Sequence, residues 1–171
     1  LRIRHDVAVS GGESDRAERL ARRLLVDYPA EEATKTGELA ATVEELTDDQ
    51  RFGRARNLYD HWDYEQAREE FAKLRGHVRL GGQERWYLAH IGLNKLRDRP
   101  KTAERLFSQL ADGGPHAEEA LYQSARAQMR QEAYDEALET LDTYLERYPK
   151  GGHVESVFYY RGWLPYDHRN N

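Results

Sequence analysis

The clearest amphipathic pattern of the chain lies between Tyr134 and Tyr148. Apolar and aromatic side chains recur there every three or four residues, at Tyr134, Ala137, Leu138, Leu141, Tyr144, Leu145 and Tyr148. Charged side chains occupy most of the positions between them. This spacing predicts an α-helix that buries one face and exposes the other.

The rest of the chain shows the same helical period and little sign of strands. β-branched residues rarely alternate with polar ones, and proline or paired glycines separate segments of helical length. The connections are short, which favours antiparallel packing of neighbouring helices. We therefore predict an all-α protein.

An internal repeat becomes visible when the helical segments are aligned on an alanine. In each copy the alanine is followed by one packing residue after four positions and by another after seven. The copies are Ala137, Leu141 and Tyr144; Ala103, Phe107 and Leu110; Ala67, Phe71 and Leu74; and, more weakly, Ala17, Ala21 and Leu24. The alanine is expected where two helices cross, because its small side chain lets them approach closely.

The spacing of these alanines matches a known class of repeat. Successive intervals are 34, 36 and 50 residues, and a period near 34 is typical of tetratricopeptide repeats. The long interval predicts one extra helix around residues 31–43. We expect a tetratricopeptide-like α-solenoid, which is a superhelical array of antiparallel helical hairpins. It is expected to form a single domain over residues 1–171, as a fragment of a longer chain.

The first helix of each hairpin keeps the repeat pattern only in part. Its small-residue position holds Ala55 and Ala125, but the hairpin between them has Ile91. Four residues earlier, where the family has a large aromatic side chain, the three hairpins have Arg51, Tyr87 and Leu121.

Two segments resemble one particular group of repeat proteins. Residues 46–55 precede the first full hairpin, and residues 155–164 follow a tyrosine-proline loop and contain Arg161, Gly162 and Trp163 in succession. Together they resemble the helical N-terminal region of soluble lytic murein transglycosylases, over residues 17–167. The resemblance implies a non-catalytic scaffold in front of a lysozyme-like domain that cleaves peptidoglycan in the periplasm or cell envelope.

Two other functions stay open. One is an envelope adaptor or assembly repeat protein that binds peptides and has no enzyme attached. The other is a cytoplasmic co-chaperone type of repeat, for which Asn94 and Lys95 are the only hint of the required carboxylate clamp. We expect a protein or peptide partner in each case, and peptidoglycan only through a catalytic domain outside this sequence.

The composition argues against several other functions. Lysine and arginine total 26 against 31 acidic residues, and the net charge of −5 argues against a nucleic-acid binder. No apolar run is long enough to span a membrane. Cysteine is absent, and the seven histidines are spread so that no two share a helix face with an acidic ligand. We therefore predict no metal and no cofactor.

Catalytic residues are not predicted either. The lytic transglycosylases carry a glutamate-serine pair at the end of a helix, followed by a glycine-leucine-methionine-glutamine segment. This chain has two glutamate-serine pairs, at Glu13 and Glu155, but no such segment. Glu13 lies in a glycine-rich start and Glu155 at the front of a repeat helix, so neither is expected in a cleft suited to a general acid.

A candidate partner-binding face follows from the repeat itself. In tetratricopeptide arrays the inner face is built from first-helix positions one and two turns apart. Carried onto this sequence, the pattern gives Arg56, Tyr59, Lys95, Tyr122, Arg126, Arg130, Tyr159 and Trp163. This basic and aromatic set is expected to attract a carboxylate-bearing partner, either an acidic peptide or the stem peptides of peptidoglycan.

The alternative interpretation of that face is structural. The tyrosines and Trp163 would then be packing residues, and the arginines would lie on a solvated face with their alkyl stems over apolar surface. Two further tryptophans, Trp62 and Trp86, are expected to pack between hairpins.

Overall fold

The computed structural model describes residues 9, 11–12, 14–31, 34, 42–76 and 78–168. The helices in this part of the chain are α1 (Ser14–Asp27), α2 (Asp48–Asp60), α3 (Tyr64–Lys73), α4 (Gln83–His90), α5 (Pro100–Ala111), α6 (Ala117–Met129), α7 (Tyr134–Arg147) and α8 (Val154–His168). A π turn (Ile91–Lys95) continues α4, and short 3-10 turns lie at Thr42–Glu45 and Val78–Leu80. The described residues form no strand, which confirms the all-α prediction.

Two of the helix starts show directly how the sequence sets a boundary. Thr47 precedes α2, and its hydroxyl accepts a hydrogen bond from the Gln50 N–H while the Gln50 side chain accepts one from the Thr47 N–H. This reciprocal capping box satisfies N–H groups that have no partner inside the helix. Pro100 begins α5, at a position where the missing N–H of proline costs nothing.

The chain divides into two compact units, Leu1–Arg75 and Gly76–Asn171. In the first unit α1 packs on α2 and α2 packs on α3. In the second unit each helix from α4 to α8 packs on the next one along the chain. Packing between sequence neighbours is typical of helical-hairpin solenoids, so the predicted fold class is confirmed. The single domain over residues 1–171 stays a prediction, and most of the extra helix predicted around residues 31–43 lies outside the described residues.

The repeat alanines are buried, as the predicted register requires. Ala67 and Ala137 have no exposed surface, Ala103 is 1% exposed and Ala17 is 8% exposed. The large residues that follow them in the three stronger copies are buried too: Phe71, Leu74, Phe107, Leu110, Leu141 and Tyr144. Small and large side chains therefore alternate across each helix crossing, which is how close packing is reached between helices.

Arg51 occupies an aromatic position of the repeat because it faces a buried carboxylate. Its Nη1 donates a hydrogen bond to Glu70 Oε2 at 2.8 Å, and both side chains are nearly enclosed. One turn later, Arg54 Nη1 donates to the Leu25 carbonyl at 2.7 Å. Polar side chains of α2 thus bind both α3 and the last turn of α1, whose carbonyls have no partner within their own helix.

The prediction that Trp62 packs between hairpins is wrong. Its side chain is 78% exposed, and its φ of 66° places it in the left-handed region, in the turn between α2 and α3. Arg97 and Glu132 adopt the same conformation in the turns that follow the π turn and α6. A residue in the left-handed conformation typically ends a helix. Trp62 therefore belongs to the turn after α2 and is not part of the core.

The prediction for Trp86 is confirmed. Its ring stacks on His90 of the same helix, with centroids 4.8 Å apart, and on His116, which immediately precedes α6, at 5.5 Å. Trp86 therefore packs between one hairpin of the second unit and the next.

Replacing Ala137 with leucine should destabilise the protein by about 1–3 kcal/mol, because the crossing between α6 and α7 has no room for the added methylenes. The free energy of unfolding in urea measures this effect. Ala72, which is exposed on α3, provides the matched control, and Ala72→Leu should change stability by less than about 0.5 kcal/mol. Equal effects of the two substitutions would contradict the register.

Candidate functional site

The candidate face is divided between the two units. Arg56 and Tyr59 lie on α2 in the first unit, where Arg56 is exposed and the Tyr59 ring makes an edge contact with Tyr64, with centroids 5.5 Å apart. The other six residues lie in the second unit, on the π turn, on α6 and its C-terminal cap, and on α8. The structure brings together part of this second set, with Arg126 at its centre.

Arg126 is held in place by neutral groups. Its Nη1 donates hydrogen bonds to Asn94 Oδ1 at 3.1 Å and to Gln123 Oε1 at 3.0 Å. Its guanidinium carbon lies 5.9 Å from the centroid of the Tyr122 ring. None of these three groups carries a negative charge, so the guanidinium is oriented but not neutralised.

Two further arginines accompany Arg126. Arg130 caps the C-terminal end of α6, one helical turn after Arg126, and Arg97 lies two residues after the π turn. Burial, together with the charges of Arg97 and Arg126, lowers the pKa of Arg130, so Arg130 lies within electrostatic range of both. Within the part of the chain that the structure describes, none of the three has a carboxylate oxygen within 4.0 Å. We call Arg97, Arg126 and Arg130 the arginine cluster.

The residues that orient Arg126 are absent from the predicted face. Gln123 is only 6% exposed, and its Nε2 donates to Glu119 Oε1 at 2.7 Å. Asn94 Nδ2 in turn donates to Gln123 Oε1 at 3.3 Å. The available signal was a glutamine on the buried side of an amphipathic helix, since a buried amide needs hydrogen-bond partners. For Asn94, the sequence offers only the hint of a carboxylate clamp.

Tyr122 lies in the interior of the second unit. It is 8% exposed, and its ring stacks on His153 with centroids 4.0 Å apart. Burial raises the pKa of its hydroxyl, which also interacts with Ser156 and Tyr160 on α8. Tyr122 is therefore a packing residue that lies beneath the guanidinium of Arg126, as the structural interpretation of the face expects for the tyrosines.

The remaining members of the predicted face are solvent-exposed. Lys95 ends the π turn. On α8, Tyr159 is 66% exposed and Trp163 is 43% exposed, while Val157 and Leu164 are the buried residues of that helix. Tyr160, which was not predicted, is the α8 tyrosine that reaches Tyr122.

The loop between α7 and α8 is joined to α6 through the carboxylate of Glu118. Tyr144 Oη donates to Glu118 Oε1 at 2.7 Å, and the Gly152 N–H donates to the same oxygen at 2.6 Å. These bonds lower the pKa of Glu118, and burial raises the pKa of Tyr144 to about 12. They position His153, whose imidazole contacts Glu119 and stacks on Tyr122.

The described residues give no support to metal binding or to a membrane-spanning helix. They contain no group of three or more histidine, aspartate or glutamate side chains that could hold a metal ion. No described helix is both long and apolar enough to cross a membrane. Glu155 lies exposed in the first turn of α8, as expected, whereas Glu13, His5 and His77 lie outside the described residues.

Comparison with protein families gives a match, which lies within the second unit. A family model described as a tetratricopeptide repeat matches residues 96–157, a segment that contains the whole arginine cluster. Residues 96–157 are thus similar to tetratricopeptide repeats. Comparisons with curated proteins and with solved structures gave no match. The resemblance to lytic murein transglycosylases stays a prediction.

His90 should make stability depend on pH. Burial, with the charges of Lys95 and Arg126, lowers the pKa of His90 from 6.5 to about 4. The unfolded chain therefore binds this proton at a higher pH than the folded one, and stability falls as the pH drops from about 6.5 towards 4. His90→Gln should remove about 1–2 kcal/mol of that loss between about pH 7 and pH 4.5, after allowance for partial exposure.

The measurement is the free energy of unfolding of both proteins at the two pH values. His61 is exposed on the other unit, so His61→Gln serves as the control for replacing a histidine elsewhere in the chain. If His90→Gln followed the same course as the control, His90 would not be the group responsible.

Proposed function

We propose that this chain is a protein-interaction scaffold whose arginine cluster captures an acidic segment of a protein partner. Tetratricopeptide repeats bind proteins or peptides, and the cluster lies within the segment that matches the repeat family. The observation that carries the proposal is the set of partners of Arg126, all of which are neutral. A guanidinium held in this way keeps its charge and donors available to an incoming anion.

Electrostatics supports an acidic partner over a basic one at this site. The chain as a whole carries a net charge of −5, so its general surface repels an acidic ligand. The arginine cluster is a local exception, because no carboxylate of the described residues lies within 4.0 Å of its three positive charges. An acidic segment would therefore be directed to this face of the second unit.

We further propose that the scaffold belongs to a peptidoglycan lytic transglycosylase of the cell envelope. The support is the sequence resemblance over residues 17–167. Stem peptides of peptidoglycan carry carboxylates, which suit the same arginine cluster. In this proposal the repeats position a separate catalytic domain on the glycan strands. An envelope adaptor that binds acidic peptides without an enzyme remains the alternative.

Reversing two charges of the cluster should abolish binding of an acidic ligand. The probe is a short peptide of consecutive glutamates with a fluorescein label at its N-terminus, and the measurement is its fluorescence anisotropy titration with the full chain. Arg126→Glu with Arg130→Glu should reduce affinity at least about tenfold, because two attractive contacts become repulsive. The stability cost should be about 1 kcal/mol for Arg126, which loses two hydrogen bonds, and about 0.5 kcal/mol for Arg130.

A matched control is available on α5. Lys101 and Arg105 are exposed and four residues apart, so Lys101→Glu with Arg105→Glu changes the net charge by the same amount. This control should keep most of the affinity, and equal losses in both double variants would contradict a local site. Sedimentation of the same proteins with purified peptidoglycan tests the envelope proposal. Retention of the unaltered chain but not the cluster variant supports it, and no retention favours the adaptor.

A further inference from the structure

The arginine cluster holds more positive charge than one carboxylate can neutralise. Arg126 lies in the last turn of α6, and Arg130 is the residue that follows the helix, with a helical backbone conformation. The two residues are four positions apart, so their side chains leave the same face of the helix. The hydrogen bond between Asn94 and Arg126 joins this face to the π turn that Arg97 closely follows. A singly charged ligand group at this place would leave two positive charges uncompensated.

We propose that the ligand group recognised by the arginine cluster is a phosphorylated side chain of an extended peptide segment. This inference rests on the proposed function, and it specifies the class of partner. A phosphomonoester carries a charge of about −1.5 to −2 at neutral pH and has three acceptor oxygens. It can therefore accept hydrogen bonds from more than one guanidinium at once, whereas a carboxylate offers two oxygens and a single charge.

The neutral frame of Arg126 is suited to such an anion. Asn94 and Gln123 both accept hydrogen bonds from Nη1 of Arg126, and these bonds fix the plane of the guanidinium. A planar, fixed fork of donors matches the oxygens of a phosphate group in two parallel hydrogen bonds. Carboxylates close to Arg126 would compete with the ligand, but Glu119 binds Gln123 and His153 instead.

A peptide is favoured over a nucleic acid by the extent of the charge. Nucleic-acid binding depends on many phosphate contacts along a basic track, and the strength of binding rises with their number. This chain has a net charge of −5, and the carboxylate-free cluster consists of three arginines. That is enough for one phosphorylated residue.

The test compares three forms of one peptide. The probe is an acetylated and amidated alanine-glycine peptide whose central residue is phosphoserine, glutamate or serine. Binding to the full chain is measured from the side-chain N–H signals of arginine in NMR titrations at low salt. The phosphoserine form should bind about tenfold more tightly than the glutamate form, and the serine form should show no saturable binding.

The pH dependence gives a second, independent readout. The second ionisation of a phosphomonoester has a pKa of about 6, so affinity for the phosphoserine form should rise several-fold between about pH 5 and pH 7.5. Affinity for the glutamate form should change little, because that carboxyl is already ionised across the range. A parallel rise for both peptides would place the titration in the protein and overturn the assignment to the phosphate.

Single substitutions locate the site. Arg97→Gln, Arg126→Gln and Arg130→Gln should each weaken the phosphoserine form more than the glutamate form, and Arg105→Gln on α5 should weaken neither. Equal affinity for phosphoserine and glutamate forms would overturn the phosphate proposal and leave the proposed function standing. Failure of both forms to bind would overturn the proposed function itself. Tighter binding of single-stranded oligothymidylate, competing with the phosphopeptide, would show that the site takes a nucleic-acid backbone.

Discussion

The hydrogen bonds from Arg126 to Asn94 and Gln123 are the interaction on which the functional interpretation depends. They fix a positive charge without neutralising it, because both acceptors are amide oxygens. Had either position held a carboxylate, the same geometry would be an internal ion pair with little to offer a ligand. Neutral support is therefore what turns an arginine of a repeat protein into a candidate anion-binding group.

This frame needs helices that are not adjacent in sequence to lie side by side. Asn94 follows α4 and Gln123 lies on α6, and α5 packs against both of these helices. Ala103 makes that packing possible, since its burial on α5 lets the neighbouring helices approach. Hydrogen bonds to Glu118 on α6 also hold α7, through Tyr144, and the loop that follows α7, through Gly152. The site is thus a consequence of hairpin stacking.

The sequence was sufficient to predict the fold and part of the site. Burial at the helix crossings follows from the period of the alanines. The inner-face positions of tetratricopeptide arrays, carried onto the sequence, predict Arg126 and Arg130 on one face. The partners of Arg126 could not be predicted, because they come from separate helices and meet only after packing. Two other differences have another cause: Arg97 is absent from the predicted face, and Trp62 is predicted to be packed but is exposed. Both residues have a positive φ and lie in turns. Glycine is the residue that usually indicates such a conformation, so the turn could not be predicted from an arginine or a tryptophan.

The most direct test is a double-mutant cycle between Asn94 and Arg126. Affinity for the phosphoserine peptide is measured for the unaltered chain, Asn94→Ala, Arg126→Gln and the double variant. We expect Asn94→Ala to weaken binding several-fold when Arg126 is present and to have almost no effect when it is absent, because the amide acts by orienting the guanidinium. Independent, additive losses would contradict the view that Asn94 serves as a support for Arg126.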